Sequence, residues 1–470
     1  MEKKNTWETY SSKQLKELEK INAQYRDFLD NGKTERECID TIVNTIEKSG
    51  YRELESLIKE GAALKTGDKV YSVWMNKSIA MFQIGRKPMT EGMNILGAHI
   101  DSPRLDGKQN PLYEDGGFAY LDTHYYGGVK KYQWVTIPLA IHGVIVKKDG
   151  TCVEINIGEN EDDPVFFVSD LLIHLAQEQL EKKAAKVIEG EALDIIVGNK
   201  PLLIDKKDKK KDEKEAGKEA VKAGVLDILK ETYDIHEEDF VSAELEIVPA
   251  GKAREAGFDR SMILAYGQDD RVCAYTSMQA MLDSDVTDRT MCCILVDKEE
   301  IGSVGATGMQ SRFFENAVAE LLALTTGAYN DLILRRCLAN SRMLSSDVSS
   351  AFDPTYAASF DKKNVAYLGH GMVFNKFTGA RGKSGSNDAN AEYLGFIRKV
   401  MDDAGVTFQT AELGKVDLGG GGTIAYILSL YGMNVIDCGV PVLNMHAPHE
   451  ATSKADLYEA KCGYKAFLEA

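Results

Sequence analysis

Five short segments of this chain carry imidazole and carboxylate groups where an α/β sheet gathers its ligands, at the carboxyl ends of apolar strands. Gly97-Ala-His-Ile-Asp-Ser-Pro-Arg104 holds His99 and, two residues on, Asp101, a spacing that lets Asp101 fix the ring tautomer of a metal-binding His99. Tyr266-Gly-Gln-Asp-Asp-Arg271 offers adjacent carboxylates between a strand and a helix. One of Asp269 and Asp270 can bridge two cations while the other caps the helix, and the residues alone leave the assignment open. Val296-Asp-Lys-Glu-Glu-Ile-Gly-Ser303 follows an apolar strand. Neighbouring carboxylates there point different ways, so Glu300 can bind metal while Glu299 stays free as a general base. Gly302 and Gly305 suit a close backbone approach.

Asp347 ends the strand in Met343-Leu-Ser-Ser-Asp-Val348 and can close a coordination shell. In Val442-Leu-Asn-Met-His-Ala-Pro-His-Glu450 either His446 or His449 can ligate, with Pro448 stiffening the loop between them. Each segment alone has an ordinary reading as a surface pair, a cap or an acidic turn. Together they supply two His, three or four carboxylates and one spare Glu. That set fits two divalent ions, zinc or a Zn/Mn/Co mixture, and the chemistry is metal-assisted hydrolysis.

The elements that must position these groups follow from hydrophobic periodicity. Residues 11–48 carry two helical patterns, Leu15, Leu18, Ile21 and Tyr25 giving one face and Ile39, Ile42, Val43 and Ile46 the next. Strands are expected at 70–74, 79–84 and 94–100. From about 105 to 245 aromatic and β-branched runs such as 137–146 and 152–157 alternate with glycine-rich turns, as in an antiparallel module. After 260 the pattern alternates: strand 262–266, helix 270–283, strand 290–296, helix 311–326, strand 342–347, strand 366–374, helix 387–404, helix 420–431, strand 433–438 and helix 453–468. The expected fold is therefore α/β, a mixed but mostly parallel sheet sandwiched by helices, formed by residues 1–104 and 246–470 and interrupted by a β-rich insert at 105–245. The mixed-charge run 205–219 reads as a solvated excursion.

Length and composition agree. A chain of 470 residues favours two domains over one core. The formal charge of −17 opposes nucleic acid and anionic membranes as partners. No apolar run is long enough to span a bilayer, the first residues lack a signal-peptide core, and the eight scattered cysteines form no Cys-x-x-Cys pair. A cytoplasmic location is expected.

The five motifs, in this order and over essentially the whole chain, closely resemble the aspartyl aminopeptidase family of dinuclear zinc metallopeptidases. The resemblance implies that Asp269 bridges two ions, that His99 and Asp347 complete one site and Glu300 and His446 the other, that Glu299 is the general base and that Asp101 supports His99. It implies peptide substrates with a free N-terminus and a water activated between the two metals. It further implies that the insert is an oligomerisation domain, that dimers assemble into a dodecamer, and that His174 of Leu172-Ile-His-Leu175 stabilises the oxyanion in a neighbouring subunit. Read as a sequence, 168–182 is a helix on which His174 could equally be buried.

The chain departs from the family where acidic N-terminal residues are recognised. After Gly369-His-Gly371, Arg381 fits the family's arginine, but Gly379 falls near its lysine and Gly382 replaces its tyrosine. Lys376 or Lys383 can substitute, so the sequence leaves acidic against neutral residues open. The glycine run 419–422 lacks the Gly-Lys-Ser/Thr ending of a phosphate loop and reads as a wall near the site. Two other functions compete: a deacylase-type amide hydrolase on the same scaffold, and an oligomeric scaffold with structural metals. The spare Glu299 argues against the second.

Overall fold

The apolar run Thr290–Val296 is buried at every position and faces two cores at once. Cys293 and Leu295 join one hydrophobic cluster while Cys292, Ile294 and Val296 join the other, as the twofold alternation of a strand requires. The computed structural model describes residues 5–202, 219–379 and 382–470. Arg381 and the run 205–218 therefore lie outside the described residues.

Contacts divide the chain into two units. The first comprises the residues up to Ser102 with Ala253–Met445 and His449–Ala470. Its main sheet has nine strands in the order Arg52–Glu53, Lys69–Trp74, Ser78–Gln83, Thr290–Val296, Met93–His99, Arg342–Ser346, Asn434–Gly439, Met372–Asn375 and Phe408–Thr410. The three central junctions, Thr290–Val296 to Met93–His99 to Arg342–Ser346 to Asn434–Gly439, are all parallel, and antiparallel pairings lie outside them. This is the mixed, mostly parallel sheet that the sequence predicts, and its parallel centre sends four strand ends to one edge.

Helices cover both faces. Ser12–Asn31, Glu35–Glu47, Gln268–Asp283, Ala391–Ala404 and Lys454–Leu468 pack on one side, through residues such as Tyr25, Ile42, Met278, Ile397 and Tyr464. Leu54–Glu60, Phe313–Thr326, Asp331–Ala339 and Ala425–Ser429 pack on the other, through Leu57, Phe314, Leu321 and Leu428. Two of the helices start at capping boxes, Ser11 with Gln14 and Thr34 with Glu37, which satisfy otherwise orphaned amide donors.

Some elements differ from the sequence reading. The strand expected at 366–374 is confined to Met372–Asn375, because the amides of Gly369 and Gly371 donate to the buried Asp456 carboxylate at 2.7 Å each and not to a neighbouring strand. The helix expected at 420–431 begins only at Ala425, after the glycine run. Asp331–Ala339 is a helix the periodicity did not single out.

The second unit, Pro103–Lys252 with His446–Pro448, is built on a seven-stranded sheet. Its order is Cys152–Ile157, Leu139–Val146, Ala243–Pro249, Arg104–Asp115, Phe118–Tyr126, Ile195–Gly198 and Phe167–Val168, antiparallel throughout. The helix expected at 168–182 is absent; the chain makes only the short turns Ile173–Leu175 and Gln177–Leu180, and His174 is exposed. Within one chain His174 is therefore not a buried residue of a helix.

Candidate metal centre

His99 ends the central strand Met93–His99, where the side chain leaves the sheet toward its carboxyl edge. It is 1% exposed. Its Nδ1 faces the Asp101 carbonyl at 3.0 Å and the Asp101 carboxylate at 3.3 Å, acceptors that place the ring hydrogen on Nδ1. Nε2 is left to face outward, 3.3 Å from Asp269 and 3.9 Å from Asp347. Ligand atoms of His99, Asp269 and Asp347 lie within 4.8 Å of one another. Ligands about 2.1 Å from a tetrahedral zinc ion stand about 3.4 Å apart, so this nitrogen-and-oxygen set fits such an ion.

Each carboxylate is held by backbone geometry. Asp269 sits in the first turn of Gln268–Asp283, behind Gly267 in the left-handed region, and the Asp269–Asp270 peptide is cis. Its amide donates to the Glu450 carboxylate at 2.9 Å, and its carbonyl accepts from Ser102 Oγ at 2.6 Å. The residues alone left the roles of the two aspartates open and the resemblance implied Asp269 as the shared ligand; in the structure the two sit differently. Asp270 accepts the His99 amide at 3.3 Å, fully buried, and so fixes the strand end from which His99 projects. Asp347 follows Arg342–Ser346, its amide donating to Cys438 at 2.8 Å.

Glu299 and Glu300 occupy the turn Glu299–Ile301 after Thr290–Val296. Asp101 reaches across to them. One of its oxygens accepts the Glu299 amide and the other the Glu300 amide, each at 3.1 Å. Asp101 thus supports the imidazole on one side and the glutamate turn on the other. The Glu299 carboxylate stands 4.0 Å from His99 Nε2, at the edge of the cluster.

The electrostatics of the centre are those of crowded acids. Burial and then the Asp347 charge push the Glu299 carboxyl up to about 8. Burial also raises Asp270 well above the carboxylate range and Asp297 to about 7, Glu35 and Asp101 adding to the latter. Burial works against a charged His99, but the Asp101, Asp269 and Asp347 carboxylates overcome it and raise its pKa well above the ordinary value. A cluster that draws in protons this way is one that a divalent cation would satisfy better.

The remaining sequence candidates fall as follows. His446 belongs to the second unit, its Nδ1 facing the Gly128 carbonyl at 2.8 Å. His449 has its pKa lowered by burial and then by the Lys33 charge. Lys376 and Lys383 both turn to Asp388 and not into open space. Sequence reasoning missed Glu450, Asp388 and Gly439. A Cβ on Gly439 would lie 1.8 Å from the Asp347 carbonyl oxygen, so only glycine lets that strand pass Asp347.

The model of the M18 family, described as aminopeptidase I zinc metalloprotease, matches residues 28–468. The chain belongs to the M18 family. It is 62% identical over 467 residues to a Clostridium acetobutylicum protein named "Probable M18 family aminopeptidase 1", covering 99% of this chain and 98% of that one. The crystal structure of an M18 aminopeptidase from Thermotoga maritima superposes with a TM-score of 0.93 at 44% identity, covering 100% of this chain and 99% of the other. A more distant likeness in fold is the mApe1 dodecamer of S. cerevisiae, with a TM-score of 0.75 at 19% identity and coverage of 95% and 96%. This M18 protein is a metal-dependent aminopeptidase, a hydrolase of the zinc-peptidase fold. The deacylase and scaffold readings give way to that one.

Proposed function

We propose that this M18 enzyme removes single N-terminal residues from peptides at a centre of two divalent ions, zinc in the first instance. Asp269 is the shared ligand in this reading, with His99 and Asp347 on one ion and Glu300 and His446 on the other. The observation that carries it is the convergence of His99, Asp269 and Asp347 beside a Glu299 that ligates nothing in that set. When bound, the ions supply Lewis acidity to the scissile carbonyl and to the attacking water. Glu299 accepts the proton that the water loses as its oxygen bonds to the carbonyl carbon, then gives it to the departing amine nitrogen. Asp101 holds the glutamate turn through the Glu299 and Glu300 amides.

The second unit is read as the assembly domain. Leu171, Leu172, Ile173 and Leu175 flank His174 as an exposed apolar ridge, a surface that favours burial against a second copy of the chain. Dimers formed there, and from them a dodecamer, would let His174 serve the site of a neighbouring subunit and stabilise the oxyanion. A cytoplasmic location is part of this reading, since eight free cysteines suit a reducing compartment.

The test is a set of peptides with free and with acetylated N-termini, assayed with Zn, Mn or Co and after chelation. Metal-dependent release of the first residue from free peptides alone, abolished in Glu299→Gln with metal content intact, is the expected result. Equal cleavage of acetylated peptides would sink the free-amine requirement.

A further inference from the structure

We propose that Glu450 is the positioning residue for Asp269, holding the shared carboxylate where two ions can reach it at once; the inference rests on the two-ion peptidase reading above. Asp269 lies in the first turn of Gln268–Asp283, yet its φ of −80° and ψ of 107° are extended, and Asp270 is also non-helical. The helical hydrogen-bond ladder does not set this backbone, since the first amides of a helix have no intrahelical partner. Two bonds from outside the helix do. The Glu450 carboxylate accepts the Asp269 N–H at 2.9 Å, and Ser102 Oγ donates to the Asp269 carbonyl at 2.6 Å. The first bond fixes the peptide plane before the Asp269 Cα, and the second fixes the plane after it. With both planes held, φ and ψ are held too, and with them the direction in which the Asp269 side chain leaves the backbone.

Glu450 is itself firmly placed. It is 1% exposed and opens the strand Glu450–Ser453, in antiparallel register with Ala265. Its carbonyl accepts Gln268 Nε2 at 2.6 Å, and the same nitrogen donates to the Ile263 carbonyl at 3.1 Å. Backbone and side chain of Glu450 thus grip consecutive residues, Gln268 and Asp269. The residues that follow are secured by other partners. Asp270 accepts the His99 amide, and Arg271 donates through Nε to the Ile100 carbonyl at 3.2 Å and through Nη2 to the Lys33 carbonyl at 2.9 Å. Loss of the Glu450 acceptor therefore leaves the rest of the turn in place and frees the peptide plane before Asp269.

A shared ligand is less forgiving than a ligand to one ion. Ions of a hydrolytic pair stand about 3.5–4 Å apart, and a carboxylate that serves both tolerates a misplacement of only about 0.5 Å. An Asp269 that has swung further can still bind one ion while losing the other. The reach of the Glu450 side chain, and not its charge, is what this role demands, because any acceptor oxygen at the same point holds the amide.

The experiment titrates the chelated full-length protein with Mn and follows it by electron paramagnetic resonance, beside kcat and KM for a peptide with a free N-terminus. Mn ions that share a carboxylate couple magnetically and lose the isolated-ion signal. Glu450→Gln keeps an acceptor of the same reach without the charge, whereas Glu450→Asp keeps the charge and falls one methylene short. The parent and Glu450→Gln are expected to bind a coupled pair. Glu450→Asp is expected to bind the first ion like the parent and the second about tenfold or more weaker, with the coupled signal lost. Its kcat is expected to fall by about the same factor while KM stays within about threefold. A coupled pair in Glu450→Asp overturns the proposal, as does loss of the pair in a folded Glu450→Gln. If Glu450→Asp does not fold, Glu450→Met, of similar length but without an acceptor oxygen, takes its place, and a coupled pair there overturns the proposal equally. A parent that binds Mn without forming a coupled pair overturns the two-ion reading itself, an outcome distinct from a parent and a shortened variant that both couple.

Discussion

The two carboxylate oxygens of Asp101 accept from separate amides, and the one that takes the Glu299 N–H at 3.1 Å is also the one 3.3 Å from His99 Nδ1. A single buried side chain thus sets both a candidate ligand and the candidate base. Asp101→Ala removes the acceptor for the imidazole and for the glutamate turn together. Metal affinity is expected to fall by about 10- to 100-fold, with kcat falling further than metal content explains. Metal analysis after dialysis, beside kcat at saturating metal, separates the two effects. Full retention of both would show that Asp101 positions neither.

Gly439→Ala puts a methyl group into the backbone of Asp347, which has no flexible end to move aside. The strand must shift and carry Asp347 with it. Zinc affinity is expected to drop at least tenfold, measured by titration with a chelating indicator, and the melting temperature to fall by several degrees. A variant that binds zinc like the parent would mean the strands separate without disturbing the ligand.

Removing the metal makes stability depend on pH in a defined direction. The folded chain holds protons on Glu299 to about 8 and on Asp297 and Asp437 to about 7, burial leading in each case. Unfolded carboxyls release theirs near 4. Between these values only the folded state binds the protons, so stability is fully present below about 4 and is lost as pH rises through 7–8. His99, raised as well, loses its contribution in the same direction, as pH climbs above its unfolded value near 6.5. Chelated protein should therefore melt at a lower temperature at pH 8 than at pH 5.5, and added zinc should raise the melting temperature more at pH 8. Scanning fluorimetry across that range decides it; a melting temperature that rose with pH in the chelated protein would contradict the crowded-acid account.

If His174 works across a subunit boundary, the defect of His174→Ala lies in a different active site from that of Glu299→Gln within one assembly. Each variant alone should lose activity by about 10²-fold or more, with metal content unchanged. Mixed after dissociation and reassembly, the pair should regain a measurable fraction, because some sites then combine an intact Glu299 with an intact His174. Absence of any recovery in a reassembled mixture would confine His174 to its own chain or to no catalytic part.

The central strands were legible because burial on both faces demands continuous apolar runs, and the polar residue that ends each run marks the sheet edge. His99, Asp347 and the Glu299–Glu300 pair were readable for that reason. The stretch 168–182 misled because Leu171, Leu172, Ile173 and Leu175 imitate a buried helical stripe, although they are exposed in this chain. Asp388 carried no signal, since a lone acid in a polar loop has no periodicity to distinguish it. Its meaning depends on the two lysines that the loop brings to it.

The sequence by itself determined the mixed sheet, the type and order of the candidate ligands and the presence of one spare carboxylate, because apolar periodicity and residue chemistry are local properties of the chain. Only the tertiary structure decided that Asp270 secures the His99 backbone while Asp269 joins the cluster, that Asp101 serves two loops at once, and that Lys376 and Lys383 are already paired. Those distinctions rest on which groups, distant in sequence, come within hydrogen-bonding distance. Strand register and chain crossings set that distance, and no local pattern encodes them.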